Sequence, residues 1–214
     1  MDPFILAAHI HPMGLEKIID VGCGCGIIPL ILACRYPDTR ITGVEIQKDL
    51  AGFASNNVTA NHLGKKIHII HDNIKNIGIS DLNGQADIIV SNPPYKKKDT
   101  GRLNPDSQKA IARHEIFLDI DLLFGCSKKL LNNQGRLYII FPAQRVSELV
   151  LTMKRYHFFP DFIRFVHIKK NTAARLVILC AAKGHGRSCT IVPPFFVYGP
   201  DNKHTNEYAS VFKP

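Results

Sequence analysis

The sequence predicts an α/β fold with a doubly wound, mostly parallel sheet of seven strands. Between about residues 17 and 141, short β-branched runs alternate with longer segments of helical periodicity. That alternation favours parallel strands, because each parallel pair needs a crossover connection. The last two apolar runs are joined by only residues 169–174, which is too short for a crossover helix. We therefore expect the sheet to finish with an antiparallel hairpin.

The strands are expected where short runs rich in Ile and Val are bounded by Gly, Asn or Asp. They are predicted at Lys17–Val21, Arg40–Glu45, Ile67–His71, Ala86–Ser91, 135–141, 159–168 and 175–182. The helices are predicted where apolar residues recur every three to four positions. Those segments are 4–10, Ile27–Arg35, 48–62, 115–131 and 146–156.

The chain of 214 residues has the length of one domain, which we take to be residues 1–214. Residues 1–12 read as a lead-in helix because Asp2 and Pro3 form a good helix start. The domain begins so abruptly that we expect a truncated N-terminus. Residues 184–214 contain prolines and scattered aromatic residues, and we expect them to form an irregular tail against the domain.

The net charge of +9 is concentrated near the end of the chain. Residues 151–214 hold ten basic and three acidic side chains, which indicates a polyanionic partner. No apolar run is long enough for a membrane span, and the first residues lack a signal-peptide pattern. We therefore expect no membrane contact and a cytoplasmic location. The six cysteines are too few for a disulfide scaffold and lack zinc-site spacing, so no metal is expected.

A glycine-rich segment, residues 20–26 (DVGCGCG), follows the first predicted strand and precedes a predicted helix. Glycines at such a turn let the backbone approach a ligand closely. Glu45 ends the next strand, where a carboxylate can accept both hydroxyls of a ribose. Dinucleotide loops have the spacing G-x-G-x-x-G, and their third glycine would fall on Ile27. The pattern therefore indicates a nucleoside-containing cofactor and disfavours a nucleotide-dependent oxidoreductase.

The segment DVGCGCG resembles the first motif of class I S-adenosylmethionine methyltransferases, which have a Rossmann-like fold. The resemblance implies S-adenosyl-L-methionine as cofactor, with Glu45 on its ribose and Asp72 and Asn73 near its adenine. The complete set of cofactor-binding residues expected from it is Asp20, Gly22, Cys23, Gly24, Gly26, Glu45, Ile46, Asp72, Asn73 and Asn92.

The fourth predicted strand runs into the sequence Asn92, Pro93, Pro94 and Tyr95. A planar exocyclic amine is a weak nucleophile because its lone pair is delocalised. The Asn92 side-chain oxygen and the Pro93 carbonyl can accept its two N–H groups and direct the lone pair towards a methyl donor. The two prolines stiffen the loop, and Tyr95 offers a face for stacking a flipped base. We therefore predict that these four residues are catalytic and that the reaction is methylation of adenine N6, cytosine N4 or a glutamine amide.

The run of NPPY, a basic glycine-containing loop and the sequence ARHE (residues 112–115) narrows this choice. It resembles the bacterial methyltransferases that place N6-methyladenine at position 37 of a valine tRNA, and the resemblance covers residues 2–183. It implies a tRNA substrate. We expect phosphate contacts from the basic residues beside the NPPY loop and at the hairpin, and His114 is expected to be structural. The contact residues are Lys96, Lys97, Lys98, Arg102, Lys109, Arg113, Lys169 and Lys170.

Two alternatives remain open from the sequence. Another amino-methyltransferase would act on DNA adenine or on a protein glutamine. A DNA enzyme would usually need a separate sequence-reading segment, for which 214 residues leave little room. A glutamine enzyme is expected to carry an extra N-terminal helical domain, which this sequence does not show. A non-catalytic RNA-binding module would keep the fold without using the cofactor. A monomer is favoured, although no pattern in the sequence fixes the oligomeric state.

Overall fold

The computed structural model describes residues 1–94, 118–184 and 188–213. The strands are β1 (Lys17–Val21), β2 (Arg40–Glu45), β3 (Ile67–His71), β4 (Ala86–Ser91), β5 (Leu131–Pro142), β6 (Phe158–His167), β7 (Ala174–Lys183) and β8 (Thr190–Phe196). The helices are α1 (Asp2–Ala7), α2 (Ile27–Arg35), α3 (Lys48–Ala60), α4 (Ile120–Leu130), α5 (Val146–Arg155) and α6 (Asn206–Ser210). Short 3₁₀ turns occupy Ile74–Asn76, Ser80–Leu82 and Ala143–Arg145.

The described strands form one sheet in the order β3-β2-β1-β4-β5-β7-β6-β8. Strands β1 to β5 are mutually parallel, and β7 runs antiparallel to both β5 and β6. The predicted doubly wound class and its antiparallel hairpin are therefore confirmed. The chain moves outwards from β1 to β3 and then returns to place β4 on the other side of β1. The carboxyl ends of β1 and β4 thus adjoin at the point where open α/β sheets bind ligands.

The predictions of seven strands and of an irregular tail over residues 184–214 are wrong. The described residues contain eight strands, because Thr190–Phe196 pairs in parallel with β6, and α6 follows. Pro193 and Pro194 make this segment read as a non-strand, since proline lacks the N–H that a ladder needs. They lie at a shift in the register, between the pairs Arg164–Val192 and Val166–Phe195, where the ladder is interrupted.

Successive residues of each central strand contribute to two separate cores, as the period of two in a strand requires. Ile18 and Ile88 pack on the face that also carries residues of α1, α2 and α6. Their chain neighbours Ile19 and Ile89 pack on the opposite face with residues of α4 and α5. Helices therefore cover both faces, which explains why the parallel strands read as continuous apolar runs.

The helix predicted at residues 115–131 is observed as α4 over Ile120–Leu130, and residues 115–117 lie outside the described part of the chain. Asp119 caps α4, because its Oδ1 accepts a hydrogen bond from the Leu122 N–H at 2.6 Å. Among the residues that the structure describes, every helix is too short or too polar to cross a bilayer. The same residues bring no three His, Cys, Asp or Glu side chains together as metal ligands.

Candidate functional site

A cavity of about 630 Å³ opens at the carboxyl edge of the parallel strands. Its size is that of a typical site for a small molecule or cofactor. The walls come from the segments that follow β1, β2, β3 and β4 and from the start of α4. The lining residues are Val21, Gly22, Gly24, Val44, Glu45, Ile46, Gln47, Leu50, Asp72, Asn73, Ile74, Lys75, Asn92, Pro94, Leu118 and Leu122.

The glycine turn after β1 is left-handed at three positions, with φ of 72° at Gly22, 56° at Gly24 and 84° at Gly26. A side chain at any of them would be strained. A Cβ at Gly26 would lie 3.3 Å from the Cβ of Ala54, so this glycine also lets α2 begin close to α3. A Cβ at Gly24 would meet no atom within 4 Å. The turn thus leaves open space beside Gly24 on the cavity wall, which a ligand can take.

Cys23 packs beneath the turn. Its side chain is buried, and a Cβ at Gly43 of β2 would come within 2.8 Å of the Cys23 sulfur. Glycine in the middle of this strand therefore makes the room that Cys23 occupies. Burial raises the pKa of the Cys23 thiol, and the nearby carboxylates of Asp20 and Glu45 raise it further. A neutral buried thiol is a packing group and a poor nucleophile.

Glu45 connects the glycine turn to the start of α3. Its Oε2 accepts a hydrogen bond from the Gly24 N–H at 2.9 Å, and its Oε1 accepts one from the Gln47 N–H at 2.8 Å. The side chain lines the cavity although the residue is almost completely buried. A carboxylate has about four acceptor positions, so two remain after these bonds. Glu45 can hold the turn and still accept hydroxyl groups from a ligand.

Asp72 and Asn73 form a rigid turn after β3. The Oδ1 of Asp72 accepts hydrogen bonds from the Asn73 N–H at 2.6 Å and from the Asn76 Nδ2 at 2.7 Å. The Oδ1 of Asn73 accepts one from the Lys75 N–H at 3.0 Å. The Asp72 N–H in turn donates to the Glu45 carbonyl at 3.1 Å. Both side chains are thereby fixed on the cavity wall before any ligand arrives.

Asp20 lies within β1 beside the turn and is 1% exposed. Among the described residues, neither of its carboxylate oxygens has a hydrogen-bond partner. Burial, assisted by the charge of Glu45, raises the pKa of Asp20 to about 8. A buried carboxyl group without a partner is costly, and such exceptions cluster at functional sites. A cationic ligand in the adjoining cavity would offset that cost.

The end of β4 is held against the end of β1. The Ser91 hydroxyl donates a hydrogen bond to the Val21 carbonyl at 2.8 Å, and both residues are buried. Asn92 and Pro94 follow directly and line the cavity, while Pro93 is buried between them. The loop that carries Asn92 therefore borders the same space as the glycine turn.

The structure brings together most of the predicted cofactor residues but not all of them. Gly22, Gly24, Glu45, Ile46, Asp72, Asn73, Asn92 and Pro94 line the cavity. Asp20, Cys23 and Gly26 lie next to the wall without forming it. Tyr95, Lys96, Lys97, Lys98, Arg102, Lys109, Arg113 and His114 lie outside the described residues. Lys169 and Lys170 are exposed between β6 and β7, and the Lys169 Nζ donates to the Asn202 Oδ1 at 2.5 Å.

The sequence interpretation missed several residues of the wall, including Gln47, Leu50, Lys75, Leu118 and Leu122. Gln47 and Lys75 each lie two positions after a predicted cofactor residue. Including the residues that follow each strand end would therefore have found them. Leu118 lies just before α4 and Leu122 lies in its first turn, and this spacing of four is also that of an ordinary core face. No signal in the sequence distinguishes these two uses.

The methyltransferase small domain family model matches residues 4–155. A tRNA1(Val) (adenine(37)-N6)-methyltransferase of Porphyromonas gingivalis is 37% identical over 143 residues, which are 66% of this chain and 55% of the relative. The chain thus spans just over half the length of that relative. A protein of the same name from Phocaeicola vulgatus is 33% identical over 179 residues, which are 83% of this chain and 74% of the relative.

Solved structures agree on the fold. A predicted O-methyltransferase from Agrobacterium tumefaciens superposes with a TM-score of 0.79 at 17% identity, covering 99% of this chain and 95% of that one. A TehB-like S-adenosylmethionine-dependent methyltransferase from Corynebacterium glutamicum gives a TM-score of 0.56 at 18% identity, covering 85% and 87%. At such identities the likeness concerns the fold alone. The family match, the relatives and the carboxyl-edge cavity agree, and the chain belongs to the methyltransferase small domain family.

Proposed function

We propose that this chain transfers a methyl group from S-adenosyl-L-methionine to N6 of adenine 37 in a valine tRNA. The observation that carries the proposal is the shared cavity: its lining includes Gly24 and Glu45 on one side and Asn92 and Pro94 on the other. A nucleoside-binding turn and an amine-accepting loop thus border one space. The relatives from Porphyromonas gingivalis, Phocaeicola vulgatus and Tolumonas auensis carry the name tRNA1(Val) (adenine(37)-N6)-methyltransferase, which supports the substrate.

The residues of the cavity fit S-adenosylmethionine in chemistry. Glu45 retains acceptor positions for the ribose hydroxyls, and Asp72 and Asn73 offer polar atoms to the adenine. The space beside Gly24 is open, and the buried carboxyl group of Asp20, which has no partner among the described residues, lies next to the cavity wall. When bound, this cofactor supplies an activated methyl group on a sulfonium.

Asn92 and Pro93 are the proposed acceptors for the target amine. The side-chain oxygen of Asn92 and the carbonyl of Pro93 take its two N–H groups, which orients the nitrogen lone pair and stabilises the positive charge that develops on nitrogen. The extra proton leaves to solvent after transfer, so no strong base is needed beforehand. Pro94 stiffens the loop, and Tyr95 is the proposed stacking partner of the flipped base.

Phosphate contacts are proposed for Lys96, Lys97, Lys98, Arg102, Lys109 and Arg113 next to this loop, and for Lys169 and Lys170. Such contacts position an RNA without reading its sequence. We further propose that residues 1–214 act as one domain, as a monomer and in the cytoplasm where tRNA is modified. No metal is assigned a role.

Product identification tests the reaction. The full chain is incubated with unmodified total tRNA and methyl-labelled S-adenosylmethionine, and the nucleosides and their positions are determined by mass spectrometry. We expect N6-methyladenosine at position 37 of a valine tRNA. In Asn92→Ala we expect turnover to fall about 10²–10³-fold, the cost of removing one preorganised hydrogen-bonding group.

Asn56→Ala is the matched control, because Asn56 is exposed on α3 and does not line the cavity. Its turnover should equal that of the wild type. Label on another nucleoside, on DNA or on a protein glutamine would contradict the proposed substrate. Unchanged turnover in Asn92→Ala would remove this residue from the reaction, and the absence of calorimetric cofactor binding would leave only a non-catalytic module.

A further inference from the structure

A second cleft, of about 340 Å³, lies at the opposite edge of the sheet, where the parallel strands begin. Four cationic side chains reach it from three separate parts of the chain: Lys17 at the start of β1, Arg40 at the start of β2, and Lys65 and Lys66 just before β3. His68 of β3 also lines it. We call this site the amino-edge cleft. It takes no part in the site at the carboxyl edge.

The positive charges of the amino-edge cleft are not balanced locally by acids. No Asp or Glu is among its described lining residues. Glu16, Asp38, Asp81 and Asp87 lie near the cleft along the chain, but none of them lines it. Asp87 accepts hydrogen bonds from the Lys17 N–H at 2.8 Å and from the Asn132 Nδ2 at 2.6 Å, and Glu16 accepts one from the Met13 N–H. The cleft therefore presents a net cationic surface.

The outer edge of the sheet leads from this cleft to the cavity. Strand β3 has β2 as its only neighbour within the described sheet, so its other side is an open edge. Both His68 and His71 of this strand are exposed. Residues 50–71 contain no Asp or Glu at all, whereas they contain two lysines and three histidines. A phosphate along this edge therefore meets no negatively charged side chain from that segment.

We propose that the amino-edge cleft and the β3 edge bind phosphates of the RNA substrate away from the methylated nucleotide. This inference rests on the proposed function for the identity of the polyanion. The five residues of β3 span about 17 Å, which a folded RNA covers easily. The RNA chain whose base enters the cavity runs past β3 to Lys65 and Lys66. These contacts supply affinity and orientation, and they do not discriminate bases.

Charge reversal at the cleft tests this assignment. Affinity for a fluorescently labelled valine tRNA is measured by anisotropy over a series of salt concentrations, for the wild type and for Lys65→Glu combined with Lys66→Glu. We expect the Kd at low salt to rise about tenfold. The slope of log Kd against log salt should flatten by about one to two, as expected for one or two lost phosphate contacts.

Lys128→Glu combined with Lys129→Glu, on α4, is the matched control. It makes the same change in net charge at exposed positions that line neither the cleft nor the cavity. Its Kd should stay within about twofold of the wild type. Equal losses in the two double variants would overturn the inference, since net charge alone would then explain binding. If the charge-reversal variant does not fold, Lys65→Gln combined with Lys66→Gln is measured in the same assay. Its Kd for tRNA is expected to rise by less than about tenfold.

Steady-state methylation separates this inference from the proposed function. With the cleft variant we expect KM for tRNA to rise while kcat and calorimetric cofactor affinity stay unchanged.

The outcomes for the function and for the cleft are distinguishable. If the wild type binds tRNA with the predicted lysine dependence but forms no N6-methyladenosine, the function is refuted and the cleft is kept. A wild type that methylates normally with no effect from the lysines would refute the cleft alone. Tight binding of inorganic phosphate, with tRNA affinity unchanged in the variant, would identify a site for free phosphate and overturn the RNA assignment.

Discussion

The surroundings of Asp20 and of Arg164 show two ways in which this protein treats a buried ionisable group. Asp20 is buried at the glycine turn, and neither of its oxygens has a partner among the described residues. The side chain of Arg164, on β6, is only 13% exposed. Its guanidinium donates to the Pro193 carbonyl at 2.9 Å, to the His9 Nε2 at 2.9 Å and to the Glu207 Oε1 at 2.5 Å.

The difference reflects what each region does. Arg164 joins β6, β8, α6 and the segment that follows α1, and its guanidinium also lies 5.2 Å from the centre of the Phe195 ring. Each of its interactions is made inside the protein, so it stabilises the fold. The unpartnered Asp20 raises the energy of the free protein, and a ligand can lower it. The partnered Arg164 therefore belongs to the scaffold, whereas the unpartnered Asp20 lies at the proposed cofactor site.

Arg164→Ala is expected to have the largest effect on stability. It leaves His9, Glu207 and the Pro193 carbonyl without their donor, and we expect the free energy of unfolding in urea to fall by about 3 kcal/mol. Arg155→Ala is the matched control, because the Arg155–Asp121 pair at 2.5 Å is solvent-exposed on both sides. It should cost about 0.5 kcal/mol or less. If the two variants lost similar free energies of unfolding, the Arg164 region would be no different from an ordinary surface ion pair.

Asp20→Asn should stabilise the free protein and weaken the cofactor complex. Because the pKa of Asp20 rises from its ordinary value to about 8, the folded state binds the proton more tightly than the unfolded state. Wild-type stability should therefore fall as the pH rises from about 4 to 8, and the substitution would remove this component because an amide does not titrate. At pH 8 we expect the variant to gain about 2 kcal/mol in urea unfolding.

In the same variant, calorimetry should show about tenfold weaker S-adenosylmethionine binding, since one charge-assisted interaction is lost. A stabilised variant with unchanged cofactor affinity would mean that the buried carboxylate does not serve this ligand. Asp38→Asn, a change at an exposed residue, provides the control for the loss of one negative charge.

Lowering the pH tests the Arg164 region through His9, and the expected change in stability is the smallest of those predicted. Burial lowers the pKa of His9, and the charge of Arg164 lowers it further, while the bond to the Ile5 carbonyl partly opposes this. The unfolded state then binds more protons below about pH 6.5, so stability falls as the pH drops from there towards the folded pKa. Between pH 7 and 5 we expect His9→Gln to lose less stability than the wild type, by no more than about 1 kcal/mol. Parallel pH profiles would show that His9 accepts no proton on unfolding.

The sequence was sufficient to predict the parallel sheet, the hairpin and half of the residues that line the cavity, because strand periodicity and strand-end position are local properties. It failed at β8, where Pro193 and Pro194 hid a strand whose register tolerates them. It did not reveal that Glu45 is bonded to the Gly24 and Gln47 N–H groups, or that Asp20 has no described partner. Those facts depend on distances between segments, as does the meeting of Lys17, Arg40 and Lys65 in the amino-edge cleft.

The two outer strands of the sheet differ in their capacity to accept a further strand. At β8, the adjacent prolines 193 and 194 cannot donate to a new ladder, which discourages self-association through that side. At β3 no proline intervenes, and protection against pairing with another copy comes from lysines and histidines instead. The two sides of the sheet thus resist pairing with a further strand by different means, through prolines at β8 and through basic and polar side chains at β3.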